Sequence, residues 1–206
     1  LYPDSLVGFN SDWLVLVPVA AGIIIGGLGF PVLVDLRRVS GRWERLTLHS
    51  KVTIWGTAAL LLLGVVLLSA LEWRNPGTLG PMPLADKVLN GGFASVTPRT
   101  AGFNSIDIAA MRPESLLATT GLMFIGAGSA GTSGGIKVST FAILALVIWS
   151  QLRGDSDVNG FNRRIPESTQ RRAITVSLLA IALVVTATGV LLISADTTIG
   201  NALFEA

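Results

Sequence analysis

Residues 52–71, VTIWGTAALLLLGVVLLSAL, run for twenty positions without a charge. Residues 173–194 do the same, and residues 13–36 carry only Asp35. A stretch of about twenty apolar residues is the length that crosses a bilayer. Lipid offers backbone N–H and C=O groups no partners, so such a stretch must satisfy them internally and folds as a helix. Residues 114–150 form a fourth apolar block, longer than one crossing needs and interrupted by glycines at 126–135.

Composition agrees. The chain is 50% hydrophobic and 14% charged with a mean hydropathy of +0.65, whereas soluble domains carry about a quarter charged residues. An all-α integral membrane protein is expected. The opening residues lack the basic-then-apolar pattern of a signal peptide, and the first apolar block is longer than such a segment needs. Without cysteine there is neither a disulfide framework nor a thiolate metal site.

Positive charge sets the orientation. Arg37, Arg38, Arg42, Arg45 and Lys51 crowd one connection, and Arg153, Arg163, Arg164, Arg171 and Arg172 another, leaving few of the fifteen Lys and Arg residues elsewhere. Both clusters are placed on the cytoplasmic side. The net charge of +2 then reports orientation, and no nucleic-acid partner is expected. Trp13, Trp55, Trp73 and Trp149 fall near span ends, where an aromatic belt lies.

Residues 83–95, PLADKVLNGGFAS, are a half-polar helical stretch too short to cross, with Pro83 and Asp86 suited to a first turn. VTPRTAGFNS follows at 96–105. For the next span to run inward, this segment must enter and leave on one face, as a re-entrant loop does. Irregular backbone at that depth must line water or be buried in protein. In Thr100, Ala101, Gly102 and Phe103, glycine permits a turn that aims a row of carbonyls at a cation. The alternative is an ordinary extracellular loop capped by Gly102.

The stretch IGAGSAGTSGGIK, 125–137, contains both GxGxxG (Gly126, Gly128, Gly131) and GxSxG around Ser133. A dinucleotide cradle needs a strand before it and a helix opening on it; here the apolar SLLATTGLMF precedes. A serine nucleophile needs a base, and His49, the single histidine, lies in a cytoplasmic connection where a solvated role is expected. An unwound segment inside the protein is the expected form, with Lys137 as an ionisable residue in mid-span, where such residues are costly and functional. A packing kink is the alternative. Gly22-x-x-x-Gly26 points to helix packing. Asp35, Glu72 and Glu114 are scattered near span ends and make no acid–base pair.

SVTPRTAGFNS (95–105), followed by GAGSAGTSGGIK (126–137), resembles the Trk/Ktr/HKT superfamily of potassium transporters, and GGLGFPVLVDL (26–36) is similar to the inner end of a family helix. That resemblance implies M1–pore helix–M2 repeats around one ion path, with pseudo-fourfold symmetry. Residues 1–44 would end repeat 2, with its M2 at 13–36. Residues 45–150 would form repeat 3, with M1 at 52–71, pore helix at 84–95, filter at 97–105 and a broken M2 at 114–150. Residues 151–206 would hold a cytoplasmic linker and the start of repeat 4, with M1 at 173–194. A family pore needs four filter segments and this sequence holds one, so the chain is expected to be a piece that does not conduct alone. The resemblance implies a filter at Thr100, Ala101, Gly102 and Phe103. It implies a gate formed by Gly126, Gly128, Ser129, Gly131, Thr132, Ser133, Gly134, Gly135 and Lys137. The transported ion would be K+, with Na+ as a possible coupling ion and no organic cofactor. The expected partners are the lipid bilayer, a second copy in a homodimer and a cytosolic nucleotide-binding regulatory ring, all at a plasma membrane, the bacterial inner membrane. The competing function is a membrane-bound oxidoreductase holding a dinucleotide at Gly126–Gly131.

Overall fold

Two helices, α3 (Leu48–Glu72) and α7 (Glu167–Ser194), are long and apolar enough to cross a membrane, and a bent pair makes a third crossing if taken as one span. They belong to a computed structural model that describes residues 4–39, 42–129, 131, 133–154, 157–160 and 163–206. In chain order the helices are α1 (Trp13–Leu28), α2 (Phe30–Val39), α3, α4 (Leu84–Val96), α5 (Pro113–Phe124), α6 (Val138–Arg153), α7 and α8 (Ile199–Glu205). A two-residue antiparallel hairpin, β1 (Asn159–Gly160) with β2 (Arg163–Arg164), is the one sheet among the described residues.

The first apolar block differs from expectation. Residues 13–36 do not form one straight span: the chain bends by 91° between α1 and α2, at Gly29, whose φ is +84°. At Gly22 and Gly26 no helix approaches closely among the described residues: a Cβ at either would meet nothing within 4 Å. The block at 114–150 divides, with α5 ending at Phe124 and α6 starting at Val138.

Between apolar helices in lipid, burial of apolar surface supplies little drive, and close packing and interhelical hydrogen bonds decide which faces meet. The short helix α4 is fixed to α3 in this way: Ser95 Oγ donates to the Leu61 carbonyl at 2.7 Å. Beneath α4 lies a core of Leu60, Leu68, Leu79, Ile106, Met111, Leu122 and Val138. The far end of α3 is held by a polar hub. Glu72, 1% exposed, accepts from Asn75 Nδ2 (2.6 Å), Thr78 Oγ1 (2.5 Å), the Arg112 backbone N–H (3.0 Å) and the Ser115 hydroxyl. It thereby joins α3, the approach to α4 and the start of α5.

At the opposite end, Leu48 and His49 of α3 share a cavity of about 260 Å³ with Gly160, Arg164, Ile165 and Thr169. The starts of α3 and α7, and the basic connections before them, therefore lie at one end of the molecule. Single cysteines in place of Glu44 and Asn159 are expected to resist an impermeant thiol reagent in intact cells, whereas cysteines in place of Pro81 and Asp196 react. All four positions are exposed. Labelling of the Glu44 and Pro81 positions from the same side would overturn this layout.

Candidate functional site

The backbone after α4 closes on itself. Thr97, which caps α4, donates its hydroxyl to the carbonyls of Phe93 (3.1 Å) and Phe103 (2.9 Å), pinching residues 97–103 into a hairpin. Thr100 and Gly102 both take left-handed backbone angles, φ +60° and +69°. For Gly102 this is free of strain, whereas a β-branched threonine there costs on the order of 1–3 kcal/mol and persists only because its surroundings hold it. The carbonyls of Thr100, Ala101 and Gly102 receive no hydrogen bond among the described residues. Those of Pro98 and Arg99 receive none either, whereas Thr97 O accepts from Ala101 N (3.3 Å), Phe103 O from the Thr97 hydroxyl (2.9 Å) and Asn104 O from Leu6 N (3.0 Å). An unbroken run of carbonyls, Pro98 to Gly102, is thus available among the described residues, and Thr100, Gly102 and Phe103 are exposed. A cavity of about 330 Å³ adjoins them, reaching Thr119 of α5 and Phe204 of α8.

Behind the segment sits Arg99, which the sequence reading passed over. It is 6% exposed, and its Nη2 donates to the Thr57 carbonyl of α3 at 3.2 Å. Nε and Nη1 have no partner among the described residues. A charged residue directly before TAGF was the available signal, but only the fold shows it turned inward.

The glycine-rich loop joins α5 to α6 through a narrow neck. Gly126 N donates to Ile136 O (2.8 Å), Ile136 N to Phe124 O (2.9 Å) and Val138 N to Ala127 O (3.1 Å). Glycine is required at 126, because a Cβ there would strike the Gly134 carbonyl. On one side the loop rests on the last turn of α1, with Gly128 N donating to Gly27 O at 2.8 Å. On the other it reaches the TAGF segment: Thr100 Oγ1 and Ser133 Oγ lie 2.8 Å apart, and Gly134 N donates to Thr100 Oγ1 at 3.0 Å. Lys137, half-buried in front of α6, folds back to donate from Nζ to the Ser133 carbonyl at 2.6 Å. Ser129 and Ser139 hydroxyls are 3.2 Å apart, tying the loop to α6. Gly131 N donates to Gly128 O (3.1 Å), and Gly135 has φ +71°. Thr132 lies outside the described residues.

The two alternative chemistries fail on this geometry. A phosphate cradle needs free amides opening a helix, but the amides of Gly126, Gly128 and Gly131 are all donated to carbonyls, and α6 begins only at Val138. Ser133 Oγ is bonded to Thr100, while the single histidine, His49, lines the cavity at the basic end of α3.

Comparison with known proteins gives a consistent assignment. The sequence model of the TrkH family, described as cation transport protein, matches residues 1–205. The chain is 39% identical to the Ktr system potassium uptake protein B of Bacillus subtilis over 184 residues, covering 89% of the chain and 41% of that protein. It is 37% identical to the protein of the same name from Vibrio alginolyticus over 209 aligned residues, 100% of the chain and 45% of that protein. It is 38% identical to the potassium/sodium uptake protein NtpJ of Enterococcus hirae over 191 residues, 93% and 42% respectively. The chain thus spans less than half the length of each of these relatives.

Proposed function

Because this chain belongs to the TrkH family of cation transport proteins, multi-pass membrane proteins rather than enzymes, we propose that it contributes one filter segment and the gate of a potassium-uptake pore. Thr100, Ala101, Gly102 and Phe103 form the filter segment, and residues 126–137 form the gate. The observation that carries this reading is the row of unbonded carbonyls that includes Thr100, Ala101 and Gly102, following the C-terminal end of a short helix. Carbonyls presented in this way replace the hydration shell of a cation. The helix ends at Val96, so its negative dipole end adds to their attraction. Directly against the segment lies the glycine loop, bonded to the Thr100 hydroxyl and carrying the Lys137 ammonium. A loop in that place obstructs the path while it stays there, and opens it by moving. The relatives named for potassium and for potassium/sodium uptake support K+ as the cargo, with Na+ as coupling ion.

The remaining filter segments come from equivalent repeats of the complete transporter. It works as a homodimer in the plasma membrane, with a cytosolic nucleotide-binding ring against the basic face.

Gly102→Ser in the complete transporter tests the filter. A Cβ at Gly102 meets nothing within 4 Å among the described residues, but φ +69° becomes strained. The backbone relaxes and the carbonyl row shifts. Preference for potassium over sodium is expected to fall about tenfold, equivalent to roughly 1.4 kcal/mol, with membrane-inserted protein near wild-type amount. Unchanged ion preference in a well-expressed variant would show that Gly102 is only a turn residue.

A further inference from the structure

At the basic end, the 91° bend sends α2 across the direction of α1. Phe30, 74% exposed, and Val34, 46% exposed, stand one turn apart on α2, and Arg37 and Arg38 occupy its last turn. A helix built this way lies in the membrane interface. Next to it the exposed Trp43 and Trp55 rings meet edge to face at 6.2 Å, as interfacial tryptophans do at headgroup depth.

Between α2 and the start of α3 is a cavity of about 590 Å³ lined by Asp35, Arg38, Val39, Arg42, Arg45 and Thr47. The three arginine side chains make no hydrogen bond or ion pair among the described residues. Asp35, which also faces Arg38, offsets one of the three charges and leaves the lining net positive. Its Oδ2 accepts from Thr47 N (2.9 Å), Thr47 Oγ1 (2.8 Å) and Ser50 Oγ (2.6 Å), which fixes the carboxylate at the start of α3. A groove of about 340 Å³ adjoins the cavity, shares Asp35, Arg38 and Thr47 with it, and continues along Phe30, Pro31 and Val34. A basic chamber opening into an apolar groove at interface depth matches an amphiphile with an anionic head and a hydrocarbon tail. A free anion would use only the chamber.

We propose that this is a binding site for an anionic phospholipid, with Arg38, Arg42 and Arg45 on the headgroup phosphate and an acyl chain along Phe30 and Val34. Arginine forks suit phosphate oxygens, and basic pockets at the cytoplasmic ends of spans take anionic headgroups. The proposal rests on membrane insertion alone and is independent of the filter and gate assignments.

The test uses the complete transporter in nanodiscs containing brominated phosphatidylglycerol or brominated phosphatidylcholine, reading quenching of Trp43 and Trp55 fluorescence against a Trp43→Phe/Trp55→Phe control. Competition with inorganic phosphate forms a second arm. Phosphatidylglycerol is expected to occupy the site at least tenfold better than phosphatidylcholine. Each arginine should contribute about fivefold, so Arg38→Gln/Arg42→Gln/Arg45→Gln abolishes the preference, while Arg37→Gln, outside the cavity, keeps it. Millimolar inorganic phosphate is expected to leave occupancy unchanged. Equal occupancy by the two lipids in the wild-type protein would overturn the proposal, and that measurement stands even if the triple variant fails to fold. A retained preference in a folded triple variant would also overturn it, and displacement by inorganic phosphate would reassign the chamber to a soluble anion.

Discussion

Removing residues 129–134 from the complete transporter raises its maximal rate of potassium uptake, by about tenfold or more, and Lys137→Ala moves the rate in the same direction. The deletion keeps the neck, since the Gly126–Ile136, Ile136–Phe124 and Val138–Ala127 bonds lie outside the removed residues. It takes away Ser133 and Gly134, the groups that hold the loop against Thr100. The filter carbonyls are untouched. Lys137→Ala acts by two routes: it removes the 2.6 Å bond that steadies Ser133 and it removes a cation beside the path. A unit charge 4 Å from an ion costs roughly 4 kcal/mol at an effective dielectric constant of 20, and about 1.4 kcal/mol already corresponds to tenfold. The measurement is uptake velocity normalised to inserted protein. If the loop were a packing kink, the deletion would misplace α6 and lower both yield and velocity. A well-inserted deletion variant with slower uptake would count decisively against a gate.

Glu72→Gln is expected to cost the complete protein several kcal/mol of stability and to lower its yield sharply. All four groups that surround the carboxylate are donors, two on each oxygen. Glutamine replaces one oxygen by an NH2; the hydroxyl on that side can turn to accept from it, but the N–H beside it, of Asn75 or Arg112, is left facing a donor. A buried donor left unsatisfied costs about 1–3 kcal/mol, and the remaining bonds lose the reinforcement of a charged acceptor. Ser115→Ala removes one donor and is expected to cost about 1 kcal/mol. Thermal unfolding of the purified variants checks both, and uptake per inserted molecule separates loss of fold from loss of function. If Glu72→Gln melts with the wild type, the hub contributes nothing to the fold's stability.

The apolar blocks made the spans legible because hydropathy reports where backbone must bond to itself, and α3 and α7 extend the expected 52–71 and 173–194 only at their ends. The bend at Gly29 was hidden for the same reason. GGLGFPVLV is apolar throughout, and hydropathy does not register a φ of +84°. Pro31, in the first turn of α2, was the overlooked mark of a new helix start. TAGF and the glycine loop were readable as unusual backbone, but their contact was not, because Thr100 and Ser133 are 33 positions apart. Glu72 looked like a solitary span-end acid for a similar cause. Its most distant partner, Ser115, lies 43 positions away.

The clasp made by Thr97 carries a consequence for the order of assembly. It closes a loop of only six positions, from Thr97 to Phe103. The loop's attachments to Thr100 and to α1 must wait for far more of the chain to emerge. Closure entropy rises by about 0.6 kcal/mol for each doubling of loop length, and local contacts form soonest. The turn at 97–103 therefore takes shape during synthesis before the glycine-rich loop docks on Thr100. The nascent protein passes through a stage at which the turn is formed and its distant partners are still absent.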